Sequence, residues 1–232
     1  MVVLAPRWSN VKTKLDLAKK LNPIVQEKNK AGEGQFVPNY FPYHGFLWNF
    51  GILPQTCMTK HSAGPVEVCE IGSTVHDLGS VIEVKILGAI AFVKDDTVVW
   101  KILAVDKSDP LAKDMKKFDE SIPPFDSLLE HTREWLKVLT GLPPLQVDEK
   151  FQFQNGPNAE KILADLHNDW NQNFLEGTDA RVCWSHTQTP GNPKTKMTNQ
   201  EAGDFVKNQP ASSSESQTPG HLAAWTFAKI HF

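Results

Sequence analysis

Cysteine is scarce. The 232-residue chain holds three, Cys57, Cys69 and Cys183, with no C-x-x-C pair among them. This gives no framework for a disulfide-stapled secreted domain and fits a reducing, cytoplasmic compartment. Long apolar runs are missing too: none approaches the ~20 residues that a membrane helix needs. The opening MVVLAPRWSN has no basic segment ahead of its apolar stretch, so it does not read as a signal peptide. It reads as a strand cut off near its beginning. An excess of basic residues is also absent. The formal net charge of −3 supplies no global field to draw nucleic acid. No internal repeat is visible.

What is present suits one globular domain with an irregular tail. The hydrophobic share is 40% and the charged share 22%, ordinary values for a chain with a sizeable core. Phe36, Tyr40, Phe41, Phe46, Trp48 and Phe50, interspersed with Gly and Pro, predict several short strands with tight turns. Val66–Ile71 and Val81–Val93 are β-branched runs, and Gly88 inside the second predicts a bend or bulge. Asp95-Asp96 is a turn signal, and Val98–Val105 returns as the second strand of a hairpin. Sequential strands joined by short turns predict an antiparallel sheet or a small barrel.

After Pro124 the hydrophobic period changes. Leu128, Leu129, Thr132, Trp135, Leu136 and Leu139 recur at helical spacing, with Asp126 or Ser127 as cap and Gly141-Leu142-Pro143-Pro144 as stop. A second helix is expected from Asn158 towards Leu175, ended by Gly177, with Ile162, Leu163, Leu166, Trp170 and Phe174 on its apolar face. Trp135 and Trp170 are expected core anchors. His167, without a metal partner at helical spacing, reads as structural. Residues 178–232 are rich in Pro, Gly, Ser and Thr and read as an extension beyond a 1–177 domain. Thr198 and Glu201 predict a capping box for one short helix there.

Several motifs follow one another in a recognisable order: PRWSN with Lys12, LNPI, FPYHG, FGILPQT, PVEVCEIG, the VWK strand and SDPLA. With these the chain resembles the eukaryotic-type soluble inorganic pyrophosphatases, and the similarity runs through both helices to about Leu175. The resemblance implies a mainly β fold with α-helices: an OB-like five-stranded β-barrel flanked by two main helices. It also implies Mg²⁺-dependent hydrolysis of pyrophosphate to two phosphates. Relative to that family, a segment ahead of PRW and part of the loop at Cys57–Gly64 are expected to be missing.

Hydrolysis of so anionic a substrate calls for Mg²⁺ ions that neutralise phosphate and activate water, held by clustered carboxylates. The family places Asp-x-Asp-Pro-x-Asp where this chain has Ser62-Ala63-Gly64-Pro65-Val66-Glu67. Glu67 alone keeps a carboxylate. Lys94 and Val99 stand at two further family aspartates, and Lys94 puts a cation where a cation would bind. Two like charges about 4 Å apart repel by about 4 kcal/mol at an effective dielectric near 20. Among the family's phosphate ligands, Lys12 and Lys101 are retained. Phe46 and Phe50 replace tyrosines, Pro38 an arginine, Leu139-Thr140 a Tyr-Lys pair, and Leu4 and Lys14 glutamates. Glu67 and Asp96 are the candidate metal ligands, with Asp106 and Asp109 nearby in sequence. By the same resemblance, Trp8, His44 and Trp225 form a homodimer contact.

The leading expectation is a catalytically impaired family member that pairs with itself or with an active relative. One alternative is an active diphosphatase with a rearranged Mg²⁺ site drawn from Asp96, Glu67 and Asp106. Another is a non-catalytic phosphate or pyrophosphate binder using Lys12, Lys94 and Lys101. A degenerate copy without a maintained role fits the same substitutions.

Overall fold

The computed structural model describes residues 1–57, 64–94, 97–115, 127–139, 152–176, 196–210, 218–220 and 224–226. One sheet organises them. Its strands are β1 (Val2–Ala5), β5 (Asn49–Ile52), β6 (Glu67–Glu70), β7 (Val84–Lys94), β8 (Thr97–Asp106) and β9 (Gln152–Asn155), in the order β1-β5-β6-β8-β7-β9. Two small ribbons accompany it: β2 (Thr13–Leu15) with β3 (Ile24–Gln26), and β4 (Asn39–Tyr40) with β10 (Trp225–Thr226).

The β7–β8 hairpin sets this order. Its antiparallel register runs from Val84↔Asp106 to Lys94↔Thr97. Sequential antiparallel pairing is expected from the sequence, but β8 inserts between β7 and β6 and pairs parallel with β6. The reason lies in β8 itself. Ile102 and Ala104 point to one face, Leu103 and Val105 to the other, and all four are fully buried. A strand apolar on both sides belongs in the middle of a sheet. One face packs Phe46, Phe50, Cys69, Leu103 and Val105 against α2 (Leu128–Leu139). The other packs Val3, Val66, Val68 and Ile102 against α3 (Gly156–Glu176).

The sheet curls on itself. Val2 bridges Val81 just ahead of β7, and Val3 exchanges hydrogen bonds of 2.9 and 2.8 Å with Ser80 and Gly79. The expected bulge is present at Gly88, where the β7–β8 register shifts. It also serves β9, a strand the sequence pattern does not announce. A Cβ on Gly88 would lie 2.3 Å from the Phe153 ring, so only glycine lets β9 close on β7.

The helices follow the periodicity. In α2, Thr132 and Trp135 are fully buried and Leu128 and Leu136 nearly so. The Trp135 indole donates to the Gly45 carbonyl at 3.0 Å, and Trp48 donates to the Thr132 hydroxyl at 3.0 Å. Gly45 has φ +52°, and a side chain there would meet Ser9 O at 2.1 Å. α3 starts at Gly156, two residues before the expected Asn158. Trp170, one turn beyond the buried Leu166, is half-buried and stacks on His167. His167 Nδ1 meets the Gln55 carbonyl at 2.8 Å, a structural role. The Thr198–Glu201 capping box opens α4 (Asn199–Lys207). Asp126, Gly141–Pro144, Gly177 and Ala211–Gln217 lie outside the described residues.

A polar hub ties the sheet to the loop after β6. Glu70 is fully buried. One of its oxygens accepts from the Gly72 and Asp106 amides at 2.7 and 2.9 Å; the other accepts from the Asn49 side chain at 2.8 Å. Burial lowers the Arg7 pKa, and the charges of Glu70 and Asp109 push back. Asp109 caps α1 (Pro110–Asp114) through the Leu111 amide at 2.9 Å and accepts from the Ser73 amide and hydroxyl at 2.7 and 2.9 Å. Burial disfavours its charge, but the hydrogen bonds from Leu111, Ser73 and Thr74 outweigh that and lower its pKa.

Two predictions follow from the hub. Glu70→Ala strands three donors and should cost about 3–5 kcal/mol in urea unfolding, whereas Glu70→Gln keeps acceptors and should cost less; a loss below about 1 kcal/mol for the alanine would contradict the hub. Asp109 contributes stability that is full above the ordinary carboxylate range and is lost as pH falls through its depressed folded value. Asp109→Asn should therefore flatten the acid limb of stability against pH; an unchanged limb would contradict it.

Candidate functional site

Strand alternation decides which polar side chains can meet. Glu67 and Lys101 are direct partners across the parallel β6–β8 ladder. Both project to the aromatic face that carries Phe50, Cys69 and Leu103. The Lys101 ammonium contacts the Glu67 carboxylate as an ion pair. It also lies 5.8 Å from the centre of the Phe50 ring, within cation–π range. The lysine side chain is 16% exposed and the glutamate 30%. Burial pushes the Lys101 pKa down to about 8, and the like charge of Lys12 adds to the effect.

Lys12 stands between the Val11–Phe36 bridge and β2. Its ammonium is 3.4 Å from Glu27. The structure thus brings Lys12 and Lys101 within electrostatic reach of each other, and gives each an intrachain carboxylate. Phe46 and Phe50, at tyrosine positions of the resemblance, are buried with Trp135 at ring separations of 5.5–6.4 Å. The aromatic packing therefore needs no hydroxyl.

Among the described residues, Asp106 and Asp109 do not join Glu67. Asp106 stands five residues beyond Lys101 on β8, an odd offset that turns it to the opposite face and about 16 Å along the strand. There it accepts from the Ser108 amide and hydroxyl at 2.7 and 2.8 Å and meets His76 Nε2 at 3.2 Å. Asp109 is committed to its cap. Asp95 and Asp96 lie outside the described residues; of Lys94 the structure gives the backbone pairing with Thr97. Mg²⁺ requires several oxygen ligands in near-octahedral array. Among the described residues no group of three or more His, Cys, Asp or Glu is arranged to hold a metal ion, and Glu67 faces a lysine. The described side chains do not fit a Mg²⁺ centre.

A third feature is aromatic. Trp8 is 55% exposed, Phe41 60% and Trp225 45%. The Trp225 ring meets those of His44 and Phe41 edge-on at 5.8 and 6.1 Å, and His44 Nδ1 lies 2.9 Å from the Trp8 carbonyl. Trp8 has φ +67°, rare for a bulky residue. Its amide donates to Phe46 O at 2.7 Å, which helps hold that conformation. Sequence reasoning overlooked the Glu70–Asn49–His76–Asp106 hub. Its one available signal was an acidic residue inside the apolar PVEVCEIG run.

Comparison with known proteins gives one answer. Residues 1–171 match the family model described as inorganic pyrophosphatase. The inorganic pyrophosphatase of Drosophila melanogaster is 33% identical over 99% of this chain and 72% of its own length. The mitochondrial inorganic pyrophosphatase of Saccharomyces cerevisiae is 32% identical over 98% of this chain and 75% of its own. Among solved structures, inorganic pyrophosphatase from Schistosoma japonicum superposes with a TM-score of 0.81, 25% identity, and coverage of 98% of this chain and 85% of that one. The Trypanosoma cruzi vacuolar soluble pyrophosphatase in complex with PPi gives 0.63 at 25% identity, covering 74% and 68%. Sheet order, helix placement and these matches agree, and the chain belongs to the inorganic pyrophosphatase family.

Proposed function

We propose that this protein is a pyrophosphatase-family member that has kept an anion-binding pair of lysines and lost most of its hydrolytic power. The observation that carries the proposal is the state of Glu67. It is the carboxylate that survives from the family's Asp-x-Asp-Pro-x-Asp segment, and it is paired with Lys101. Without clustered carboxylates, the charge neutralisation and water activation that Mg²⁺ supplies have no described anchor. Lys12 and Lys101 are the proposed ligands for phosphate or pyrophosphate. The alternative Mg²⁺ site built from Glu67, Asp96 and Asp106 draws no support from the described part of that set, because Glu67 and Asp106 occupy opposite faces. In this reading residues 1–177 form the pyrophosphatase-like unit, 178–232 extend it, and the compartment is the reducing cytoplasm. No helix among the described residues is long and apolar enough to cross a membrane.

The exposed aromatics favour a second element of function: pairing of the chain with itself or with an active relative through Trp8, His44 and Trp225. Such rings make effective anchors at protein interfaces.

Purified protein with Mg²⁺ and pyrophosphate should release phosphate no faster than a buffer control, and Lys94→Asp with Val99→Asp should raise the rate. Turnover near one per second by the unaltered chain would overturn the impaired reading. In sedimentation velocity the unaltered protein should run as a dimer, and Trp8→Ala should weaken association by about 2 kcal/mol or more. A monomer at all concentrations would end the self-pairing proposal, and failure to sediment with an active relative as well would end the pairing proposal altogether.

A further inference from the structure

We infer that Glu67 acts as an internal lock on the anion site, occupying with its own carboxylate the place at Lys101 that an inorganic phosphate anion would take. This rests on the reading of Lys12 and Lys101 as the surviving anion ligands, and it adds a reason why they do not bind freely.

Three observations carry it. First, the parallel register puts Glu67 directly beside Lys101, with neighbouring strands about 4.8 Å apart. A glutamate at that spacing can run alongside the lysine stem and set its carboxylate on the ammonium. Second, the ion pair is asymmetric in exposure. Lys101 is the more buried partner and Glu67 the more exposed, at 16% and 30%. The oxygen that contacts the ammonium is buried, but Glu67 is the partner with more of its side chain in water and so the one that can swing out. Third, the cation keeps a need for an anion. Lys101 lies against the Phe50 ring, and it is close enough to Lys12 for the two charges to repel. Two mutually repelling lysines, one of them poorly hydrated, favour a dianion that answers both. Glu67 supplies one negative charge to Lys101, and Glu27 one to Lys12. A phosphate oxygen cluster would have to displace the first.

The ligand class is thus a small inorganic phosphate, bound without metal, and binding is held down by an intrachain competitor. Glu67→Gln removes the competing charge while keeping the side chain's length. Glu67→Asp shortens it by one methylene and loosens the contact.

The test is titration calorimetry of the full-length chain with inorganic pyrophosphate in buffer containing a chelator. Glu67→Gln should bind at least tenfold more tightly than the unaltered protein, Glu67→Asp should fall between, and Glu67→Gln with Lys101→Met should lose the gain. Should Glu67→Gln fail to fold, the Glu67→Asp comparison decides alone. Equal binding by the unaltered chain and both Glu67 variants would overturn the lock while leaving the lysines as anion ligands. A gain that survives Lys101→Met would also overturn the lock. Absence of binding in every variant would overturn the lock and the anion-ligand reading together. Since no metal or turnover enters this titration, its outcome is separate from that of the hydrolysis assay.

Discussion

A lysine drawn into the middle of a sheet has to be answered by a negative charge, because too little water reaches it to screen the field. Lys101 occupies that position on β8, against the Phe50 ring and within reach of a second lysine. Here the answer comes from the neighbouring strand. The β6–β8 register delivers Glu67 to the ammonium. This one contact pairs the proposed metal-type residue with a proposed phosphate ligand.

The sheet's two faces then separate the polar chemistry into two compartments. Glu67 and Lys101 share the aromatic face with Phe50 and Cys69. Glu70 and Asn49 alternate to the other side, joined by Asp106, His76 and the Asp109 cap. The second compartment is rich in hydrogen bonds and fixes the loop after β6. It holds Glu70, Asp106 and Asp109, and their contacts are structural. A change of one residue in register would be needed to bring Asp106 to the Glu67 face, and that would turn every apolar side chain of β8 the wrong way.

Much of this fold was legible in the residues. The apolar run of β8, the bulge at Gly88, the α2 stripe through Trp135 and the Thr198–Glu201 box each carry a local signal, and each is where its pattern implies. β9 was not legible, because QFQN buries little besides Phe153 and depends on the space left by Gly88. The parallel β6–β8 pairing was not legible either, since it is decided by which strand is apolar on both faces once the hairpin has formed. For the site, residue identities pointed to Lys12, Lys101 and Glu67. Their mutual pairing required the register. The contact of Trp8 with His44, and of His44 with Trp225, depended on a left-handed turn and on a return of the chain over a long span, neither of which has a periodic signature.

The claim at the centre is that the carboxylate left in the inherited metal segment serves a lysine and no longer serves a cation. Equilibrium binding of Mn²⁺, followed by its electron paramagnetic resonance signal with and without pyrophosphate, addresses that claim without involving catalysis. The account predicts no saturable site at millimolar Mn²⁺ in either condition. Saturable binding of even one ion per chain would contradict it.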